Sequence, residues 1–500
     1  MSEATRGMGL GALTDRIGPE RVVGLPVGEV GGLAYDSRRV TPGSLFFAVR
    51  GDHTDGHRFV DAAIAAGALG VVDQEERPRL SVPQLVVANS RHALADAADL
   101  WFDAPTLTLE TIGVTGTNGK TTVAWLISQL LIAAGRRPGL LGTVWQRVGD
   151  ETTDNLSRVT TPEALELQEL LAAMLAAGND TAVIESSSHG LAQGRTRNCR
   201  YRSGIVTNLT HEHLEFHGTF EAYRAAKALL VEEAPLAILN RDDPSYAFFR
   251  ERARDRVVSF GAHAEADVRG TLVAERPTGS TVSVLAPGWS GQLEIPLVGA
   301  FNVENALAAF AWAVGWGIDP DAARTALAAA RSVAGRMDPV DEGQPFGVVV
   351  DYAHSPDAIE KVLRVLRPVT AGRLAVVFGS AGERDTTKRA VMGRIAAELA
   401  DLAYVTDEDP RGEDREAINE AIADGARAAG SRDGENLWVI NDRRSAIAAA
   451  IGRAGVGDTL LLAGKGHEHN MLTASGSIWW DEAEVARQEL RAAGYGREGA

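Results

Sequence analysis

The segment GTNGKTT at residues 116–122 constrains the fold of this chain more than any other feature. It follows residues 111–115, a short β-branched run that is typical of a buried strand. After it, apolar residues recur at helical spacing: Val123, Leu126, Ile127, Leu130 and Leu131. In such a turn, glycines let successive backbone N–H groups surround an anion at the start of the helix. The segment therefore predicts a phosphate-binding loop in an α/β domain.

The loop departs from the standard pattern at one position. That pattern requires glycine at Val114, whereas the first glycine here is Gly116, so the loop is shortened. In the phosphate interpretation, Lys120 reaches the terminal phosphates of ATP and the hydroxyl of Thr121 binds Mg²⁺. The alternative is a structural turn with an incidental lysine, which the flanking strand and helix disfavour.

The composition is that of an ordinary folded protein with more than one domain. The chain has 500 residues, of which 45% are apolar and 23% charged. A net charge of −17 without a dominant basic cluster disfavours a nucleic-acid partner. No apolar run approaches the roughly 20 residues of a membrane span. The single cysteine, Cys199, and an N-terminus unlike a secretory signal predict a cytoplasmic protein.

Alternating strand-like and helix-like segments predict an α/β fold with three domains. Residues 1–105 mix short strands with an alanine-rich helix and end where Pro105 breaks a helix. Residues 106–335 are predicted to form a central ATP-binding domain with a mainly parallel sheet of the phosphate-loop type. Further strands of this domain are predicted at residues 181–184, 204–208 and 236–239, and a more β-rich stretch lies between residues 257 and 297. Residues 336–500 are predicted to form a doubly wound α/β domain.

Four predicted strands of the third domain end in charged or glycine-rich turns. The strands lie at residues 347–350, 374–378, 402–406 and 459–463. The turns are DYAH at 351–354, GSAGER at 379–384, DEDPR at 407–411 and GKGHE at 464–468. Ligands of doubly wound sheets bind beyond the carboxyl ends of the strands. This edge of the sheet is therefore predicted to carry a ligand site.

Polar residues also follow strands of the central domain. Glu185 follows the strand TAVI, where nucleotide-hydrolysing folds often place a metal-binding carboxylate. A zinc site is suggested by three histidines, His211, His213 and His217. It is disfavoured because no cysteine lies nearby and the HExxH pattern of zinc enzymes is absent. A role of one histidine in binding Mg²⁺ or a phosphate is favoured instead. Lys227 lies on a predicted helix, where an exposed lysine is the default.

Three N-terminal motifs would be ordinary turns if taken singly: DSR at 36–38, GSLFFAVRG at 43–51 and DGH at 55–57. Together with TGTNGKTT at 115–122, they closely resemble the Mur ligase family of peptidoglycan precursor synthesis. The resemblance covers nearly the whole chain, and the family's version of the loop lacks the early glycine. The N-terminal pattern is similar to that of the two ligases that add the third residue and the terminal dipeptide.

Two motifs of the third domain separate that pair. DYAHSPDA at 351–358 looks like the ligase that adds the third residue, and GKGHE at 464–468 agrees. The resemblance implies that ATP drives the joining of a diamino acid to the D-glutamate of UDP-N-acetylmuramoyl-L-alanyl-D-glutamate through an acyl phosphate. It also implies a nucleotide-sugar-binding first domain, an amino-acid-binding third domain, Mg²⁺ and a monomer.

The resemblance gives roles to individual residues. For ATP it implies Gly116, Thr117, Asn118, Gly119, Lys120, Thr121, Thr122, Asn302, Asn305, Arg336 and Asp351. For the UDP-sugar dipeptide it implies Ser37, Thr160, Thr161, Ser187, Gln193 and Arg195. The implied metal ligands are Thr121, Glu185, His213 and Lys227, the last as a carbamate, and the implied catalytic residues are Lys120, Lys227, His213 and Glu185. For the diamino acid it implies Arg384, Glu408, Asp409, Pro410, Arg411, Gly464 and Glu468.

The added amino acid stays open between three candidates. A guanidinium at Arg411 can hold a second carboxylate bidentately, which favours meso-2,6-diaminopimelate over L-lysine or L-ornithine. The family's diaminopimelate signature is Asp-Asn-Pro-Arg, however, and residues 408–411 read EDPR. The additional negative charge at Asp409 favours a distal ammonium group. meso-Diaminopimelate is preferred, with the other two as alternatives.

Two different functions also stay open. One is the related ligase that adds D-Ala-D-Ala, and the other is a non-catalytic nucleotide-binding regulator that kept the fold. The presence of Lys120, Glu185, His213 and Lys227 argues against the regulator.

Overall fold

The computed structural model of the chain describes residues 7–51, 54–155, 159–210, 214–276, 279–330 and 335–496. The chain divides into two units, residues 1–269 with 308–323 and residues 270–307 with 324–500. None of the helices in these described ranges has the length and apolar character to cross a membrane. The predicted domain boundaries at residues 105 and 335 stay predictions.

The N-terminal part of the first unit contains a mainly parallel sheet. Its elements are β1 (Met8–Gly9), α1 (Leu10–Ile17), β2 (Arg21–Val23), β3 (Glu29–Val30), β4 (Gly32–Ala34), β5 (Ser44–Phe47), α2 (Val60–Ala65), β6 (Gly70–Asp73), β7 (Gln84–Val86) and α3 (Ser90–Trp101). The strand order is β2-β7-β6-β5-β4, and all neighbours except β2 and β7 are parallel. The inner strands are almost wholly apolar because helices cover them.

A second parallel sheet of the first unit carries the phosphate loop. The elements are β8 (Glu110–Thr115), α4 (Lys120–Ala133), β9 (Pro138–Leu141), β10 (Trp145–Val148), β11 (Glu151–Asp154), α5 (Ala164–Ala176), β12 (Thr181–Glu185), α6 (Ser188–Ala192), β13 (Tyr201–Val206), α7 (Leu214–His217), α8 (Phe220–Glu233), β14 (Leu236–Asn240), α9 (Tyr246–Arg252) and β15 (Arg256–Gly261). The parallel order is β9-β12-β8-β13-β14-β15. The loop thus leaves a strand with parallel neighbours on both sides.

The chain continues through β16 (Val268–Arg276), β17 (Gly279–Ala286), β18 (Trp289–Ile295), α10 (Ala300–Trp316) and α11 (Pro320–Ala328). The strands confirm the β-rich stretch predicted between residues 257 and 297. The second unit then forms a sheet from β19 (Asp338–Pro339), β20 (Gly347–Asp351), α12 (Pro356–Leu366), β21 (Leu374–Phe378), α13 (Thr387–Leu399), β22 (Leu402–Val405), α14 (Arg415–Ala428), β23 (Leu437–Val439), α15 (Arg443–Ile451), β24 (Thr459–Ala463), β25 (Asn470–Thr473), β26 (Gly476–Trp479) and α16 (Glu482–Ala492).

The sheet of the second unit confirms the predicted doubly wound architecture. Its order is β19-β20-β24-β21-β22-β23, and every neighbour from β20 to β23 is parallel. Helices α12, α13 and α14 cover one face, and α15 and α16 cover the other. The four predicted strands are β20, β21, β22 and β24, whereas β23 was missed because it has only three residues. Their carboxyl ends therefore meet at one edge, as predicted.

A buried ion pair fastens the last helix to this edge. The guanidinium of Arg443 donates to both carboxylate oxygens of Glu482, and both side chains are fully buried. The same guanidinium donates to the carbonyl of Asp407 at 3.0 Å and to that of Ala463 at 2.8 Å. Arg443 thus connects α16 to the ends of β22 and β24.

We expect Arg443→Leu to destabilise the second unit by about 3–5 kcal/mol, because Glu482 is left as an unpaired buried charge. Amide hydrogen exchange of peptides that cover β24 and α16 measures this as a rate increase of roughly 100-fold or more. The control is Arg394→Leu, which breaks a half-exposed pair with Glu398 and is expected to cost about 1 kcal/mol or less. Equal effects of the two substitutions would contradict the role of the buried pair.

Candidate active site

The phosphate loop connects the end of β8 to the start of α4, as the sequence predicted. Gly116 and Gly119 have φ angles of 145° and 86°, in the region that favours glycine. A Cβ atom at Gly116 would lie 1.9 Å from Oγ1 of Thr207, so a larger residue does not fit there. Gly119 directly precedes α4, whose first N–H groups and dipole favour an anion. This backbone is suited to binding phosphate.

The end of β13 holds the loop in this conformation. The carbonyl of Asn208 accepts from the N–H of Thr117 at 2.8 Å, and its side-chain oxygen accepts from the N–H of Asn118 at 2.9 Å. The hydroxyl of Thr207 donates to the carbonyl of Asn118 at 2.5 Å. The sequence predicted residues 204–208 as a strand, but β13 is Tyr201–Val206. Thr207 and Asn208 leave the strand because their polar groups bind the loop.

Two lysines donate to the backbone of the loop. Nζ of Lys120 donates to the carbonyls of Gly116 at 3.1 Å and Thr117 at 2.9 Å, so its charge lies across the loop. Nζ of Lys227 donates to the carbonyl of Gly116 at 2.8 Å. Lys227 lies on α8 and is 1% exposed, so the default expectation of a surface lysine was wrong. Its ammonium lies 4.7 Å from the ring of Tyr223, whose hydroxyl contacts Thr117. No sequence motif indicated that Tyr223 belongs to this group.

Glu185 is buried at the end of β12 and contacts the predicted metal-binding hydroxyl. Thr121 Oγ1 donates to Glu185 Oε2 at 3.1 Å. The N–H of Thr143 donates to Oε1 at 3.0 Å, and its hydroxyl donates to Oε2 at 2.9 Å. Burial raises the pKa of Glu185, and the nearby Lys120 opposes that shift. Carboxylate and hydroxyl oxygens are ligands that Mg²⁺ accepts, so these residues fit the implied ion. Thr143 lies just beyond the end of β9 and belongs to no motif that the sequence shows.

The predicted histidine cluster is only partly described. His211 and His213 lie outside the described residues. The ring of His217 lies 5.5 Å from that of His189 and 5.3 Å from that of Tyr223. Within the described ranges, His, Cys, Asp and Glu form no group of three or more that could hold a metal ion. Mg²⁺ needs fewer protein ligands, because it keeps waters and binds phosphates.

The residues predicted for the dipeptide lie next to Glu185. Oγ1 of Thr143 lies 3.0 Å from Oγ1 of Thr160, within hydrogen-bond distance. Thr161 donates from its hydroxyl to the backbone carbonyl of Glu185 at 2.8 Å, and the N–H of Ser187 donates to Thr161 Oγ1 at 2.9 Å. One hydrogen-bonded chain therefore runs from the phosphate loop to this cluster.

Arg195 extends this cluster towards the N-terminal sheet. Its guanidinium donates to the carbonyl of Thr161 at 2.9 Å and to the side-chain oxygen of Gln193 at 2.7 Å. It also pairs with Glu163 at 2.8 Å, and Glu163 pairs with Arg91 of α3 at 2.5 Å. Sequence reasoning missed Arg91 and Glu163, because their spacing of 72 positions forms no motif.

A pocket of about 510 Å³ adjoins these ion pairs. It is lined by Tyr35, Asp36, Ser37, Arg38, Val49, Gly51, Thr54, Gly56, Phe59, Arg91 and Glu163. The three N-terminal motifs thus meet at one concave surface, and Ser37 is among its lining residues. Its size and its mixture of aromatic and charged groups suit a polar ligand.

The second unit holds the other residues that were predicted for ATP. Asn302 and Asn305 are buried on α10, where Asn305 Nδ2 donates to Asn302 Oδ1 at 3.2 Å. Asp351 is buried at the end of β20 and accepts from the N–H groups of Met337 at 2.8 Å and Ala353 at 2.9 Å. Burial raises the pKa of its carboxyl. Arg336 is exposed, with its guanidinium 5.3 Å from the ring of Tyr352.

Two of the predicted amino-acid residues contact a buried lysine at the edge of this sheet. Nζ of Lys465 lies 2.8 Å from Asp409 Oδ1 and 2.8 Å from Glu468 Oε2. The additional negative charge at Asp409 is therefore paired with a buried ammonium group, which the sequence does not show. Arg411 has a φ of 53°, which is uncommon for a residue other than glycine and frequent at functional sites.

Glu408 lies beside this network. Its side chain is buried, and its Oε2 has no hydrogen-bond partner among the described residues. Burial raises the pKa of Glu408 to about 7, against the lowering effects of Lys388, Arg443 and Lys465. Gly464 has a φ of 113°, and a Cβ there would lie 3.4 Å from Glu408. Arg384 and Pro410 belong to neighbouring turns of the same edge, with Arg384 exposed.

Comparisons with known proteins cover most of the chain. Residues 29–101 match the Mur ligase family catalytic domain, residues 114–313 the Mur ligase middle domain, and residues 335–466 the Mur ligase glutamate ligase domain. The UDP-N-acetylmuramyl-tripeptide synthetase of Roseiflexus sp. (strain RS-1) is 44% identical over 94% of this chain and 96% of its own.

Two further relatives carry a more specific name. The UDP-N-acetylmuramoyl-L-alanyl-D-glutamate–2,6-diaminopimelate ligase of Geobacillus thermodenitrificans (strain NG80-2) is 41% identical over 92% of this chain and 94% of its own. A solved structure of a ligase with that name has a TM-score of 0.75 at 30% identity and covers 98% of this chain and 100% of its own. With these matches and the three-domain α/β architecture, the chain belongs to the Mur ligase family.

Proposed function

We propose that this chain is an ATP-dependent ligase that joins meso-2,6-diaminopimelate to the D-glutamate of UDP-N-acetylmuramoyl-L-alanyl-D-glutamate. The observation that carries the proposal is the hydrogen-bonded chain from Thr121 through Glu185 and Thr143 to Thr160 and Thr161. It brings a phosphate-binding loop next to the residues proposed for the dipeptide. Relatives named for this reaction match nearly the whole chain.

ATP binds through its phosphates to residues 116–122 in this proposal. Asn302 and Asn305 lie on the adenine side, and Arg336 and Asp351 contact the ribose. Thr121 and Glu185 hold Mg²⁺ together with His213 and carbamoylated Lys227. When bound, the ion reduces the repulsion between the γ-phosphate and the acceptor carboxylate.

The reaction has two steps. An oxygen of the D-glutamyl γ-carboxylate attacks the γ-phosphorus of ATP, the bond to the bridging oxygen breaks, and ADP leaves. Lys120 stabilises the negative charge on the transferred phosphoryl group. A neutral amine then attacks the acyl carbon of the acyl phosphate, inorganic phosphate leaves, and the amine loses a proton to give the amide.

The nucleotide sugar occupies the pocket around Ser37, and the dipeptide extends from it towards Thr160, Thr161, Ser187, Gln193 and Arg195. The pairs of Glu163 with Arg91 and Arg195 support this path, because they connect the pocket to the dipeptide residues. The diamino acid lies among Arg384, Glu408, Asp409, Pro410, Arg411, Gly464 and Glu468, with its distal carboxylate on Arg411.

An amino-acid panel tests this function on the wild-type chain and on Arg411→Ala. We expect ADP release with UDP-N-acetylmuramoyl-L-Ala-D-Glu to require meso-diaminopimelate. Loss of the bidentate contact is expected to raise the KM for diaminopimelate by about 30-fold or more and that for L-lysine by less than about threefold. Stimulation only by D-Ala-D-Ala would assign the chain to the related ligase. ATP binding without turnover on any amino acid would favour the regulator.

Lys227→Ala is expected to lower kcat by about 1000-fold or more, because the proposed carbamate, and with it a ligand of Mg²⁺, is lost. The carbamate would form when the neutral amine of Lys227 adds CO₂ and releases a proton. Added acetate or formate should restore part of the activity by supplying a carboxylate. Lys361→Ala is the control, since Lys361 is exposed and pairs only locally with Asp357. Full activity of Lys227→Ala would contradict the carbamate.

The KM for diaminopimelate is expected to rise as the pH falls below 7. Glu408 has a pKa of about 7, and only its ionised form attracts a substrate ammonium group. Below this pKa the protonated fraction dominates, so KM should increase by nearly tenfold per pH unit. Glu408→Gln should flatten the profile between pH 5.5 and about 8. The control is Glu398→Gln, which changes an exposed carboxylate and should leave the pH dependence of KM unchanged. A pH dependence that flattens in this control, or that stays unchanged in Glu408→Gln, would exclude Glu408 as the group that binds the substrate ammonium.

A further inference from the structure

One lysine of the second unit is fully buried among the acidic residues of the proposed diamino-acid site. The side chain of Lys465 is 0% exposed, and its ammonium lies 2.8 Å from carboxylate oxygens of both Asp409 and Glu468. The other oxygen of Glu468 accepts from the hydroxyl of Tyr352 at 3.2 Å. A buried ammonium is unfavourable without such partners. Lys465 and the two carboxylates therefore stabilise one another.

The same network fixes the backbone at Arg411. Oδ1 of Asp409 also accepts from the N–H of Leu472 at 2.9 Å, and the carbonyl of Leu472 accepts from the N–H of Arg411 at 2.9 Å. Lys465, Asp409 and strand β25 thus hold Arg411 in its left-handed conformation. The guanidinium Nε of Arg411 is buried and has no hydrogen-bond partner among the described residues. A buried donor of this kind requires an acceptor.

The charges of the site explain why an ammonium is needed at position 465. Asp409 and Glu468 both contact the Lys465 ammonium, and Glu408 directly precedes Asp409 in the chain. Without a buried cation they would attract the guanidinium of Arg411 themselves and would repel a substrate carboxylate. Lysine is a compact charge with three donors, so it can pair with two carboxylates where a planar guanidinium would not fit. Of the fifty Lys and Arg residues only five are lysines: Lys120, Lys227, Lys361, Lys388 and Lys465.

We propose that Lys465 is a positioning residue that sets the specificity of the site for an amino acid with a distal carboxylate. It balances Asp409 and Glu468, so that the positive charge of Arg411 stays available to the substrate. The EDPR sequence at residues 408–411 is then compatible with binding of diaminopimelate, because Lys465 neutralises the negative charge of Asp409. This inference rests on the proposed function, since it concerns the choice between substrates of the same ligase.

Three variants test the inference: Lys465→Met, Asp409→Asn and the double variant. Their kcat and KM are measured with meso-diaminopimelate and with L-lysine at saturating ATP and UDP-dipeptide. Lys465→Met should raise the KM for diaminopimelate by about 30-fold or more and reduce the preference for it over lysine by a similar factor. The KM for ATP and for the UDP-dipeptide should stay within about twofold, because neither contacts Lys465.

The double variant separates a charge effect from general damage. Removal of the aspartate charge should return the KM for diaminopimelate to within about threefold of the wild-type value, because the excess negative charge is gone. A double variant as impaired as Lys465→Met, or a Lys465→Met enzyme with unchanged preference, would overturn the inference.

Asp409→Asn decides the question if Lys465→Met does not fold. Asparagine keeps the acceptor for Leu472 and leaves the Lys465 charge less balanced, so the preference for diaminopimelate over lysine should rise by about threefold or more. A fall in that preference would overturn the inference. Failure of the proposed function is distinct, because the wild-type chain would then ligate no diamino acid at all.

Discussion

The hydrogen bonds between residues 207–208 and the phosphate loop determine where the charged groups of the first unit lie. They hold the loop in a conformation that only glycine tolerates at Gly116. The carbonyl of Gly116 then accepts from both Lys120 and Lys227, which brings two lysine side chains to one turn of backbone.

Buried charged groups occur in both units, and three of them have specific partners. Glu185 is surrounded by hydroxyl and N–H donors of Thr121 and Thr143. In the second unit, Arg443 is compensated by Glu482, and Lys465 by Asp409 and Glu468. Isolated ions in the protein interior would shift their pKa values and become neutral. The partners of Arg443 and Lys465 offset the free-energy cost of burying their charges.

The sequence predicted most of the fold because its signals are local. Apolar runs gave the strands β8, β12, β20, β21 and β24 within one residue of their ends. Glycines and charged turns marked the sheet edge for which the sequence predicts a ligand site. The short strand β23 carries no such signal, since three residues give no periodicity. The polar end of β13 was misplaced because threonine and asparagine there follow a regular apolar strand.

The burial and the partners of individual site residues could not be predicted from local sequence patterns. Lys227 follows the pattern of an exposed helical lysine, and its burial results from the packing of α8 under the loop. Asp409 adds a negative charge to the sequence, and its compensation by Lys465 involves residues 56 positions apart. The sequence by itself determined the phosphate loop, the alternating α/β layers and the family, because these follow from the spacing of neighbouring residues. The tertiary structure decided which charges are buried and which are balanced, because that depends on groups that meet only when distant strands lie side by side.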